Sequence, residues 1–93
     1  MEVRFLLDPD GQPHIWKHGV TELEVYEALL RRAEDRPGDE GSRVAIGRTS
    51  TGRILKVIYG SDDDGWAVFV ITAYDLKGKP LKAFRRRQKR RGR

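Results

Sequence analysis

The chain reads as an α+β domain, a small, mostly antiparallel sheet with helices packed on one face. Three observations predict this. Thr21 and Glu24 form a capping signature that opens an amphipathic segment. Three β-branched, apolar segments follow it, each bounded by turn residues. A basic segment with Pro80 near its start closes the chain as a last helix. Strands grouped after the early helices, and not alternating with them, indicate α+β order.

Taken in order, Val3, Phe5 and Leu7 alternate with Arg4 and Leu6, which predicts a short first strand. Asp8-Pro9-Asp10-Gly11 ends it as a turn. Pro13 can open a short helix carrying His14, Ile15, Trp16, Lys17 and His18, with Gly19 as its left-handed C-cap. Val20 before the Thr21 cap and Val25 beyond it match a hydrophobic staple. Leu23, Tyr26, Leu30 and Ala33, with Leu29 beside them, form a stripe at helical spacing. The spacing predicts one helix over 22–34, packed through Leu23, Tyr26 and Leu30 and ended by Arg36-Pro37-Gly38.

Strands are then expected over 43–48, 53–59 and 66–74, with turns at 49–52 and 61–65. The third is the most apolar, as a central strand covered on both faces would be. Leu81 and Phe84 can dock the last helix on the sheet, and nothing apolar follows Arg87, so its end should fray. The predicted order is β-α-α-β-β-β-α, one domain over 1–84 with a basic tail over 85–93.

The chain's 93 residues suffice for one domain. The absence of cysteine excludes disulfides and thiolate metal sites. No apolar run approaches the ~20 residues of a membrane span, and MEVRFLLDPDGQ lacks the apolar region of a signal peptide. The expected location is the cytoplasm, with no membrane partner. The net charge of +5 is uneven. Residues 77–93 hold ten Lys or Arg and no acid, whereas residues 1–76 hold nine basic and all fourteen acidic residues. A basic segment of this kind fits phosphate or an acidic protein.

Several side chains carry chemistry. Lys17 and His18 suit acid–base cleavage of RNA, which needs a base for the 2′-hydroxyl and an acid for the leaving oxygen; Lys-His-Gly is equally a good helix C-terminus. Arg48 and Arg53 flank a hairpin and can fork onto phosphate, or stand as exposed strand ends. Lys56, among Ile54, Leu55, Val57 and Ile58, either snorkels to an edge or points into a concave site. Tyr74 can stack on a base or pack at a sheet rim, and Trp16 and Trp66 can serve as base platforms but read first as core or half-buried residues. Lys82, Arg85, Arg86 and Arg87 are candidate phosphate contacts on the last helix. Asp62-Asp63-Asp64-Gly65 lacks the remaining EF-hand positions and reads as a solvated turn. Neither metal nor cofactor is expected.

Three segments carry a resemblance. His14-Ile15-Trp16-Lys17-His18-Gly19-Val20-Thr21-Glu22-Leu23-Glu24-Val25 is similar to the entry to the long helix in BrnT-type toxins of type II toxin–antitoxin systems. Ala45-Ile46-Gly47-Arg48-Thr49-Ser50-Thr51-Gly52-Arg53-Ile54-Leu55-Lys56-Val57 is similar to that family's hairpin, and Val70-Ile71-Thr72-Ala73-Tyr74 to its last strand. In order, they resemble the family over nearly the whole chain. The resemblance implies a RelE-like fold, a metal-free endoribonuclease acting on RNA, free or on the ribosome, and a cognate antitoxin. It implies a catalytic set of Lys17, His18, Arg48, Arg53 and Tyr74. Two departures stand out. Tyr74 occupies the family's strand-end Arg position, and Ala67-Val68-Phe69 replaces the Arg before the strand's apolar run. These favour an alternative, a binding module of the same fold without turnover, using its basic C-terminal segment to hold RNA or an acidic protein.

Overall fold

A computed structural model of the chain describes residues 2–61 and 67–92. Strand β1 (Glu2–Phe5) leads through the Asp8 turn to a 3-10 helix (His14–His18) and then to α1 (Glu22–Leu30). Strands β2 (Arg32–Pro37), β3 (Arg43–Arg48), β4 (Ile54–Ser61) and β5 (Ala67–Asp75) follow, and α2 (Gly78–Arg91) closes the chain. The sheet order is β1-β5-β4-β3-β2. β1 runs parallel to β5, and every other pair is antiparallel. The α+β class is as the sequence predicts, but the sheet is mixed and has five strands. Trp66 and the acidic turn over 62–65 lie outside the described residues.

The local signals hold. Thr21 Oγ1 accepts the Glu24 N–H at 3.2 Å, and Glu24 Oε1 accepts the Thr21 N–H at 2.9 Å, a closed capping box. Val20 and Val25 both enter the core beside it. Gly19 ends the 3-10 helix at φ 68°, a left-handed conformation open to glycine at little cost.

The helix ends earlier than its periodicity predicts. Residues 32–37 form the edge strand β2, paired with β3. As a strand, this segment gains a backbone ladder and also seats its acids. Glu34 receives Arg87 at 2.7 Å and Arg36 at 2.6 Å. Asp35 receives Arg43 at 2.7 Å and the Tyr59 hydroxyl. These contacts outweigh the modest helix preference of Ala33 and Glu34.

The phase of α1 also differs from the expected stripe. Leu23 and Leu30 are 67% and 61% exposed and Tyr26 lies at the surface, whereas Val25, Ala28 and Leu29 are buried. Gly47 on β3 decides this. A Cβ built there would stand 1.9 Å from the Ala28 carbonyl oxygen, so the bare backbone of Gly47 lets α1 settle on its Ala28 side.

The helices cover both faces of the sheet, contrary to the one-sided packing expected. Side chains alternate along a strand. Ala45, Leu55, Val57, Val70 and Ala73 pack with Ile15, Val25, Ala28 and Leu29. Ile46 and Ile54, the alternate positions, pack with Leu76, Leu81 and Phe84. β5 is internal but not covered throughout, since Ile71, Thr72 and Tyr74 are only half-buried. Nor does α2 fray at Arg87. It continues to Arg91, whose Nη1 donates to the Ala33 carbonyl at 3.4 Å. Among the described residues no helix is long and apolar enough to cross a membrane.

Two outcomes follow for stability. Urea melts should find Leu23→Ala within about 0.5 kcal/mol of wild type and Val25→Ala lower by roughly 1–3 kcal/mol. Gly47→Ala should cost at least as much as Val25→Ala, because its clash is with backbone. A Leu23→Ala cost above that of Val25→Ala would contradict the observed helix phase.

The second outcome concerns acid. Hydrogen bonds from Arg87, aided by Arg36, hold the buried Glu34 carboxyl below its ordinary value of 4.5 despite burial. The folded state thus binds this proton more weakly than the unfolded chain. Its stabilisation is complete above about pH 4.5 and is lost as pH falls through the lower folded value. Glu34→Gln should flatten that part of the acid-unfolding curve and speed amide exchange in α2 at neutral pH.

Candidate active site

The site is built on the half-buried end of β5 and the 3-10 helix beside it. The Asp8 turn is closed by two backbone bonds, Gly11 N–H to Asp8 O and Asp8 N–H to Gln12 O, both at 2.8 Å. The His14 N–H donates to Leu6 O at 2.9 Å. The turn thereby returns the chain so that the Asp8 carboxylate meets the start of the 3-10 helix. Asp8 Oδ1 lies 2.8 Å from His14 Nδ1, and Asp8 Oδ2 lies 3.3 Å from Lys17 Nζ. The hydrogen bond with His14, helped by Lys17, holds the Asp8 carboxyl below its ordinary range. In neutral His14, the tautomer that donates from Nδ1 to Asp8 leaves Nε2 as the acceptor.

From His14 the groups continue in a row. The His14 and His18 rings meet edge-on at 5.5 Å, and His18 meets Tyr74 edge-on at 5.8 Å. Lys56 Nζ lies 5.8 Å from the Tyr74 ring centroid. β-Sheet register places this last pair side by side, because Lys56 pairs with Tyr74 across β4 and β5. Two imidazoles, a phenol and an ammonium thus line one edge of the sheet face.

Of the residues singled out in the sequence, His18, Tyr74 and Lys56 are brought together here. Lys17 is at the edge, held by Asp8. Arg53 lies beneath the site and is fully engaged. It forks onto Asp75 at 3.1 and 3.0 Å, and its Nη1 donates to Gly19 O at 3.0 Å and Glu24 Oε2 at 2.8 Å. The Asp75 bonds, then those to Glu24, raise its basicity further, and Arg53 in turn holds the Asp75 carboxyl low. Its geometry is that of a clasp, with no fork left for a phosphate.

The other cations are elsewhere. Arg48 and Arg85 line a separate cavity beside α2. Arg87 is bound to Glu34, and Lys82 and Arg86 are exposed on α2. Trp16 is 47% exposed, and its indole N–H donates to Glu22.

Two members of the row were not picked out as site residues in the sequence, His14 and Asp8. The signal available was the four-residue interval between His14 and His18. The Asp8 contact depends on closure of the intervening turn and has no sequence signature. Comparison of the chain with protein-family models, with curated proteins and with solved structures gives no match.

Proposed function

We propose that the chain is a metal-free endoribonuclease module whose acid–base pair is His14 and His18. The observation that carries this reading is the row Asp8–His14–His18–Tyr74–Lys56. It supplies, within one patch, each group that transesterification of RNA requires. One imidazole removes the proton of the 2′-hydroxyl, and O2′ attacks the adjacent phosphorus. The bond from phosphorus to O5′ breaks, and the other imidazole protonates O5′. The products are a 2′,3′-cyclic phosphate and a free 5′-hydroxyl, with no redox change and no co-reactant. His18, between His14 and Tyr74, is the base. His14, held at Nδ1 by the Asp8 carboxylate, is the acid, and its Nε2 carries the proton that O5′ receives. Lys56 neutralises the charge that grows on the non-bridging oxygens, and the Tyr74 hydroxyl donates to one of them.

In this reading Tyr74 and Lys56 together stand where the BrnT-like pattern has an arginine. The resemblance further suggests a cognate antitoxin that covers the site. Under the alternative, the same patch binds RNA without cleaving it.

Incubation of the purified chain with RNA, free and ribosome-bound, should yield 2′,3′-cyclic phosphate ends and should proceed in EDTA. His18→Ala and His14→Ala should each lower the rate by at least about 10²-fold. Asp8→Asn should lower it by about tenfold, since it keeps the ring contact but removes the charge. A 2′-deoxy substitution at the scissile nucleotide should abolish cleavage. Strict dependence on a divalent cation would overturn the mechanism. Intact RNA in every assay, with undiminished RNA binding, would establish the non-catalytic alternative instead.

A further inference from the structure

We propose that the cavity where α1 ends, β2 begins and α2 crosses β3 is a binding site for a nucleoside monophosphate. It has a volume of about 370 Å³, within the ~300–1,000 Å³ span of small-molecule pockets and far larger than a bare phosphate requires. Arg31 after the end of α1, Arg48 on β3 and Arg85 on α2 line it with Gln88, and Ile54 and Phe84 form its apolar wall.

Among the described residues, Arg4, Arg32, Arg36, Arg43, Arg53 and Arg87 are each held by a carboxylate within 4 Å. Arg31, Arg48 and Arg85, like Arg86, Arg90 and Arg91, are in no such pair among these residues; what sets the first three apart is that they line one cavity whose lining holds no carboxylate. A cavity lined by three arginines and no carboxylate is electropositive, and a dianion placed in it gains from that field. The guanidinium fork matches the oxygens of a phosphate monoester.

The remaining lining selects what the phosphate carries. Phe84 and Ile54 are buried in the second core cluster and form a fixed apolar wall to the cavity. The Gln88 amide nitrogen leans on Glu34 at 3.4 Å, which leaves its carbonyl oxygen to accept from a base edge. An apolar wall, one oriented amide and three cations fit a planar heterocycle joined to a phosphate. The site shares no residue with the histidine row, so it stands whether or not the chain cleaves RNA.

Calorimetric titration with adenosine 5′-monophosphate, adenosine and inorganic phosphate tests the assignment. The monophosphate should bind one per chain, and adenosine and phosphate should each bind at least about tenfold more weakly. Arg48→Gln combined with Arg85→Gln should weaken monophosphate binding at least about tenfold. Both residues are exposed, so circular dichroism should be unchanged. Arg86→Gln combined with Arg90→Gln removes the same charge outside the cavity and should stay within about twofold. His18→Ala should bind the monophosphate as wild type does, which separates this site from the catalytic proposal. In amide spectra, the Ala33 and Gly47 signals should move on binding. Phosphate binding as tightly as the nucleotide, equal losses in the two double variants, or no binding at millimolar nucleotide would each overturn the proposal.

Discussion

The Arg53 guanidinium joins three elements that the chain brings together from far apart. Its fork closes on Asp75 at the end of β5, while Nη1 reaches Glu24 of α1 and the Gly19 carbonyl that ends the 3-10 helix. Gly19 follows His18 and Asp75 follows Tyr74, so one side chain sets the separation of the two residues on which the candidate site is centred. Glu24 is shared. One carboxylate oxygen closes the capping box and the other receives Arg53. Folding of α1 and placement of the 3-10 helix are therefore a single event in energetic terms. Without the guanidinium, the Asp75 and Glu24 carboxylates would face each other at partial burial with no cation between them, which is a larger loss than the bonds alone. Charge-assisted, bidentate geometry is what makes a partly exposed arginine adequate to this role.

A second set of cations fixes α2. Phe84 and Leu81 supply its apolar contact, and Arg87 supplies a polar one through the buried Glu34. Glu34 could not occupy an inward position on β2 without that partner, because an unpaired buried carboxylate is too costly. The basic segment thus does two jobs. Arg87 and Arg91 fasten the helix to β2, while Lys82, Arg85 and Arg86 remain at the surface. This division explains how a helix with ten basic residues in and around it can dock at all. Its attachment engages Glu34, one acid of a body that carries the excess of negative charge.

What could be read from the sequence was local. The Thr21 cap, the Val20–Val25 staple, the Gly19 stop and the turn ahead of Arg53 each involve residues within a few positions, and the signals are chemical. The strand β2 was illegible because Arg-Ala-Glu-Asp-Arg-Pro has neither alternation nor β-branched residues. It becomes a strand through β3 and through cations as remote as Arg87. The face of α1 was misread for a similar reason. Leu23, Tyr26 and Leu30 make the stronger apolar stripe, but the missing side chain at Gly47, on another element, sets which side approaches the sheet. In the site, His18, Lys56 and Tyr74 stood out as chemistry-bearing residues. Their convergence depends on strand register and on Arg53, and the Asp8–His14 contact on a turn, none of which periodicity encodes.

The geometry of the sheet links the two proposed sites. Ile54 and Lys56 are alternate residues of β4 and point to the same face, about 7 Å apart along the strand. Ile54 walls the arginine cavity and pairs with Arg48, whereas Lys56 pairs with Tyr74. One strand, with ladder partners on both sides, therefore holds both sites at a fixed interval. Groups mounted on such strands keep their positions better than groups on loops. The histidines are the exception, since they belong to a five-residue 3-10 helix with little rigidity of its own. That weakness is why the clasp beneath them matters. Ile15 in the core, the His14 bond to Leu6 and the Arg53 bond to Gly19 supply the rigidity that the short helix lacks. Under the proposed reading, the acid–base pair is held by side-chain and backbone ties, and the phosphate-binding groups Lys56 and Tyr74 by the ladder of the sheet.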